Sequence, residues 1–239
     1  MPIVRILLVL IALASPALAQ DGARDAGKAA QAFRVYVEGV TKQGGRPDLT
    51  QPEVAALLGR VFDLDAFNAL PPAQASDLSW LPDWMEAANA TNKLFTRYGS
   101  KPGPQPDLAA LQRNMTEYDD QYAAAINFLI RGMAREAVSA TMFMAGLKPA
   151  ERTRVREEGL TGLRSNTAEF ILEAICSVSG SKPVNIRLVA AAIRDTREVW
   201  ASFFLPRDRA RVVGLTKQVP DETARIDLAA LTAALQAVN

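Results

Sequence analysis

Glutamates are the residues of this sequence best placed to do acid–base chemistry. Glu169 and Glu173 lie one helical turn apart in a largely apolar stretch, and Glu136 lies beside the apolar face of another predicted helix. A carboxylate held among apolar side chains has a raised pKa and can serve as a general acid. The alternative is a set of ion pairs with arginines of neighbouring helices. The candidate partners are Arg131, Arg135 and Arg194.

The rest of the catalytic repertoire is sparse. The 239 residues include no histidine and one cysteine, which removes the commonest general base and leaves no means of forming an intramolecular disulfide or a cysteine-rich zinc site. Di-iron bundles need Glu-x-x-His pairs, which this chain lacks. Met133, Met142 and Met144 do not share one face closely enough for a copper site, so they are interpreted as core residues. We therefore expect no metal and no cofactor.

Two indoles give a hint of a binding surface. Trp80 and Trp84 flank a predicted helix start that follows the Pro71-Pro72 turn. Tryptophan is enriched in ligand pockets and protein interfaces, and it also closes the ends of helical bundles. Both interpretations remain open from the sequence.

Arginines form two clusters at predicted helix starts, where the helix dipole disfavours positive charge. An acidic partner surface and local pairing with nearby carboxylates both account for this placement. Over the whole chain 27 basic residues balance 26 acidic ones, which argues against nucleic-acid binding. The clusters are Arg152, Arg154, Arg156 and Arg207, Arg209, Arg211.

The first 19 residues have the order of a secretory signal peptide. Arg5 precedes the apolar run 6–14, Pro16 is expected to break the helix, and Ala17-Leu18-Ala19 forms a small-x-small cleavage site. The apolar run is shorter than the roughly 20 residues of a membrane span. We expect an exported, periplasmic protein that has left the membrane after cleavage. The alternative is that residues 1–19 remain as an anchor.

Apolar residues of the remaining chain recur every three or four positions, and no segment alternates as a half-buried strand does. The prediction is an all-α, bundle-like array of about seven to nine helices without a sheet. Two of the helices are expected to be very long, at about 107–146 and 149–179. A linker rich in proline and glycine at 99–106 separates an N-terminal helical segment (20–98) from a C-terminal bundle (107–239), and the two segments are expected to pack as one domain.

Local signals refine these helices. Asp107 is expected to cap the first long helix, and Thr50 with Glu53 resembles a capping box. Cys176 lies in the apolar run FILEAICSV, so we expect it to be buried.

The sequence favours a non-enzymatic exported protein that binds a partner protein or an apolar small molecule. One alternative is a hydrolase or lyase that uses Glu169 and Glu173, and another is a membrane-tethered structural or adaptor protein. The candidate ligand or interface residues are Trp80, Trp84, Glu136, Glu169 and Glu173.

Overall fold

The computed structural model describes residues 3–100, 107–177 and 180–238, with side chains from residue 19 onward. The helices, in chain order, are α1 (Ile3–Lys42), α2 (Pro52–Val61), α3 (Leu64–Asn68), α4 (Leu81–Thr96), α5 (Leu108–Glu117), α6 (Asp119–Gly146), α7 (Arg154–Ser177), α8 (Pro183–Asp195), α9 (Arg197–Phe203), α10 (Pro206–Thr216) and α11 (Glu222–Ala237). Single 3-10 turns occur at Ala75–Ser79 and Pro149–Glu151.

The all-α prediction is confirmed. The described residues form helices and turns without a strand, and the helices outnumber the seven to nine expected. The predicted linker falls mostly on residues 101–106, which lie outside the described residues. No helix in the described ranges is long and apolar enough to cross a membrane.

The prediction of one long helix at about 107–146 is wrong, because this segment forms two helices, α5 and α6. Tyr118, with φ −107° and ψ 33°, separates α5 from α6. Its hydroxyl donates to the Pro47 carbonyl at 2.9 Å. The Asn114 amide donates to the carbonyls of Thr96 and Tyr98. These contacts dock α5 against the end of α4, while α6 continues into the core. One non-helical residue hardly changes the apolar periodicity, so the sequence pattern hides the break.

The second long helix also differs, since α7 begins at Arg154 after a separate 3-10 turn. Cys176 is exposed rather than buried. Glu169, Glu173 and Cys176 recur at helical spacing on the solvent side of α7, whereas Ile171 and Ile175 face the core. An apolar sequence run therefore still has one outward face.

Two helix ends were predicted wrongly as well. The helix that begins before Pro16 continues through it as α1, at the cost of a backbone hydrogen bond. Thr50 does not cap α2; its hydroxyl binds Asp48 Oδ1 at 2.6 Å, and Gln51 is the N-cap. Asp107 caps α5 as expected, because its carboxylate accepts the Ala110 N–H at 3.0 Å.

One hydrophobic cluster runs from Ala19 in α1 to Leu235 in α11. The helix α6 lies at its centre and packs against α4 on one side and α7, α8 and α9 on the other. At the crossing of α4 and α6 the approach is so close that a Cβ on Gly132 would lie 2.1 Å from the sulfur of Met85. A side chain at this position would require the end of the Met85 side chain to move.

Candidate functional site

Both candidate tryptophans lie inside the core. Trp80 is 4% exposed and Trp84 is 1% exposed. The Trp84 ring meets Phe67 at 5.7 Å and Phe128 at 5.5 Å between centroids, and its indole N–H donates to the Val61 carbonyl at 2.9 Å. The structure thus places these indoles in an aromatic cluster that joins α3, α4 and α6, and neither indole lines a described groove.

A buried ion pair holds the segment before α4 on α6. Arg135 contacts Asp77 at 2.8 Å, with their side chains only 10% and 9% exposed. Arg135 also donates to the Pro71 carbonyl at 2.9 Å and lies 5.6 Å from the centre of the Trp80 ring. Asp77 in turn accepts the Gln74 N–H at 3.0 Å. This network holds the loop on α6 through the two terminal nitrogens of Arg135, while its buried Nε has no hydrogen-bond partner among the described residues.

Glu136 is a candidate carboxylate whose charge no neighbouring described group stabilises. It is half-buried on α6 and forms no ion pair or hydrogen bond with the described residues. Burial alone raises its pKa above the usual 4.5. The charged form of Glu136 is therefore unfavourable in the folded protein.

Replacing Glu136 with Gln is expected to stabilise the protein at pH 7 and to leave its stability unchanged near pH 3. The folded state binds this proton more tightly than the unfolded state does, so the contribution of Glu136 to stability falls as pH rises above 4.5. Glutamine has no charge to bury, and gains of this kind are about 0.5–1 kcal/mol. Urea titrations at both pH values measure the difference. Glu173→Gln, at an exposed position on α7, is the matched control, and an equal pH dependence in both variants would contradict the assignment.

The Glu169–Glu173 pair lies on the open surface of α7. Glu169 is 51% exposed and forms a two-pronged ion pair with Arg211 of α10, with one contact at 2.9 Å. That guanidinium lowers the pKa of Glu169. Glu173 is exposed and has no described partner. The partner of Glu169 is not one of the three arginines expected, and no cavity encloses the two carboxylates.

The second arginine cluster, at the start of α10, is bound to neighbouring groups. Arg207 donates to Ser165 at 3.1 Å, and Arg209 donates to the Phe204 carbonyl at 3.1 Å. These contacts, with the Arg211 pair, tie α10 to α7 and α9. The cluster is accounted for by local structure.

The first arginine cluster lies where α6 and α7 leave the core. No residue from 141 to 166 is buried, although α6 is largely buried before Ala140 and α7 becomes buried again at Thr167. We name residues 141–159 the hairpin tip. It comprises the last turns of α6, the Pro149–Glu151 turn and the first turns of α7.

The hairpin tip is ordered by its own polar contacts. Arg152 donates to the Ala145 carbonyl at 3.4 Å, and Arg156 donates to the Glu151 carbonyl at 2.6 Å. The Glu151 carboxylate accepts the Lys148 N–H at 2.8 Å. Arg152 and Arg156 therefore bind backbone carbonyls and have no carboxylate partner among the described residues, whereas Arg154 forms an exposed ion pair with Glu158 at 2.6 Å.

Apolar side chains are exposed on this same tip. Val155 is 77% exposed, Met142 46% and Phe143 38%, and the Arg156 guanidinium lies 5.8 Å from the Phe143 ring centre. The interpretation of Met142 as a core residue is wrong. Its direction, about 160° from Met144 around the helix, was the signal in the sequence that placed it off the buried face.

Two shallow grooves lie on the described surface. One, of about 230 Å³, lies between α1 and α4, and the other, of about 260 Å³, lies between α2 and the start of α6. Both are smaller than the roughly 300–1,000 Å³ of typical small-molecule sites. Among the described residues, no three acidic or cysteine side chains come together as a metal-ligand group.

Comparisons with known proteins identify no relative. No protein family, no curated protein and no solved structure matches this chain.

Proposed function

We propose that this chain is an exported, periplasmic helical protein that binds a partner protein through its hairpin tip, without catalysing a reaction. The observation that carries the proposal is the exposure of Met142, Phe143 and Val155 on a segment with no buried residue from 141 to 166. Apolar patches that a soluble protein keeps exposed favour interaction sites.

The composition of the tip supports a protein partner over a small molecule. Methionine, aromatic residues and arginine are the residue types enriched in protein interfaces, and methionine adapts its shape to different partners. Here Met142 and Phe143 are exposed on the same tip as Arg152 and Arg156, Arg156 lies over the Phe143 ring, and neither arginine forms an ion pair with a described carboxylate. The surface fits a partner with an apolar patch bordered by acidic groups. The described grooves are too small to favour the small-molecule alternative.

The internal contacts of the tip also support binding. Three hydrogen bonds close the turn between α6 and α7. A surface that is ordered before binding loses less conformational entropy when a partner arrives. The tip is thus suited to recognition as a fixed shape.

In vivo photo-crosslinking tests this function. A photo-reactive amino acid at Val155 in the full chain, produced in living cells, is expected to give one defined crosslinked product. The matched control is the same amino acid at Val184 on α8, which is also exposed and apolar (65%). Met142→Asp should reduce the Val155 product several-fold, because burying a carboxylate in an apolar contact is costly. Equal products at both positions, or no product at Val155, would reject the proposal.

Two further measurements separate the alternatives. N-terminal sequencing after cell fractionation is expected to find Gln20 as the first residue; an intact residue 1–19 segment in the membrane fraction would favour the tethered adaptor. Native mass spectrometry of the gently purified protein is expected to give the mass of the polypeptide alone or in whole-number multiples. An added small mass that disappears on denaturation would favour a small-molecule binder.

A further inference from the structure

The groove between α1 and α4 has a floor of small residues. The two helices run parallel: Gly22 approaches Trp84 near one end, and the Phe33 and Phe95 rings lie 6.4 Å apart near the other. At 1.5 Å per residue these contacts are about 16 Å apart along the axis. The small residues between them are Gly27, Ala30, Ala87 and Ala90. Such side chains let another helix approach closely, but they do not by themselves indicate a ligand.

Thr91 supplies an independent indication. It lines this groove and is only 1% exposed, and its hydroxyl has no hydrogen-bond partner among the residues that the structure describes. Leaving a buried hydroxyl unpaired costs about 1–3 kcal/mol. Other helical threonines of this chain, among them Thr41, Thr96, Thr116 and Thr141, instead donate to the carbonyl four residues earlier. The groove therefore lies beside a buried polar group that the described residues leave unpaired.

Charge at the two ends of the groove indicates which partner fits. Asp83 and Glu86 lie at the end near Trp84, and Arg34 lies at the end near Phe95. None of these three side chains forms an ion pair or hydrogen bond with any described residue, although many other arginines of the chain are paired. The groove thus has an unpaired negative end and an unpaired positive end.

We infer that a second copy of this chain packs on the α1–α4 groove in an antiparallel, two-fold symmetric dimer. A two-fold axis through the small-residue floor places Arg34 of one copy against Asp83 and Glu86 of the other, and the symmetry repeats the contact. The same rotation packs the floors against each other as a four-helix seam. Every groove residue follows residue 19, so the interface is retained after signal cleavage. This surface is separate from the hairpin tip.

Sedimentation equilibrium of the full chain, free of its signal segment if that is removed on export, tests the dimer. The wild type is expected to be dimeric at about 100 µM and to dissociate on dilution. Arg34→Glu alone, and Asp83→Arg with Glu86→Arg, should each raise the dissociation constant about tenfold or more, because like charges then meet at both ends.

Mixing the two charge variants gives the decisive result. In the heterodimer the glutamate at position 34 of one copy faces the arginines at positions 83 and 86 of the other. The second contact keeps its original Arg34, Asp83 and Glu86. The heterodimer should therefore form with near wild-type affinity. Arg225→Glu, at an exposed arginine of α11 that has no ion pair with a described residue, is the matched charge-reversal control and should leave the dimer unchanged. Circular dichroism confirms that each variant is folded. A monomeric wild type at all concentrations, or a dimer insensitive to both reversals, would overturn the inference.

Discussion

Replacing Trp84 with Ala is expected to lower the free energy of unfolding by about 3–5 kcal/mol. The side chain is 1% exposed and contacts Phe67 and Phe128 in the aromatic cluster. Its removal leaves a large cavity. The Val61 carbonyl also loses the hydrogen bond that it accepts from the indole N–H, which leaves this carbonyl without its side-chain donor. For a chain of this size the loss corresponds to a melting temperature lower by about 8–15 °C. Thermal and urea unfolding followed by circular dichroism measure it.

A second variant separates the volume of Trp84 from its hydrogen bond. Trp84→Phe keeps most of the ring contacts and removes only the donor to Val61, so it should cost clearly less than Trp84→Ala. The exposed Val155→Ala is the control, with little change expected. The sequence allowed Trp84 a binding role, in which its loss would weaken partner binding more than stability. Near wild-type stability of Trp84→Ala, combined with lost crosslinking at Val155, would restore that interpretation.

Replacing Arg135 with Ala is expected to lower the free energy of unfolding by about 3–5 kcal/mol, because the buried Asp77 carboxylate then lacks a charged partner. The variant also loses the donor to the Pro71 carbonyl and the contact with the Trp80 ring. Since these groups hold the segment before α4 on α6, proteolysis near residue 71 should become faster together with the loss of stability. Chemical denaturation and limited proteolysis measure the two effects.

A double-mutant cycle isolates the contribution of the pair itself. The double variant Asp77→Asn/Arg135→Met has neither charge buried without a partner. Its loss of unfolding free energy should therefore be smaller than the sum of the losses in the two single variants. The matched control is Arg211→Ala, which breaks the exposed pair with Glu169 and should change stability little. Additive losses in the cycle would show that the two side chains act independently.

Local sequence patterns were sufficient for the helical class. The recurrence of apolar residues every three or four positions, as in Phe33 and Val37 of α1, is a property of one helix and needs no knowledge of its neighbours. The same holds for the Asp107 cap, which involves residues three apart. Composition alone also ruled out histidine-based metal and acid–base sites.

The candidate site depended on contacts between distant parts of the chain. Arg135 pairs with Asp77, 58 positions earlier in the sequence, and Glu169 pairs with Arg211, 42 positions later. Many arginines and carboxylates are available for each pairing, and only the packing of α6 and α7 selects among them. The direction of Met142 around its helix could be read from the sequence, whereas only the structure shows that α6 leaves the core before this residue.

The sequence by itself thus determined the helices, several of their ends and the scarcity of catalytic groups. Tertiary structure alone decided the break at Tyr118, the burial of Trp80 and Trp84, and the exposure of the hairpin tip. The physical reason is the distance along the sequence over which each property is determined. Helix periodicity and capping are set within about four residues, whereas burial and ion pairing depend on which surfaces meet after the chain has folded.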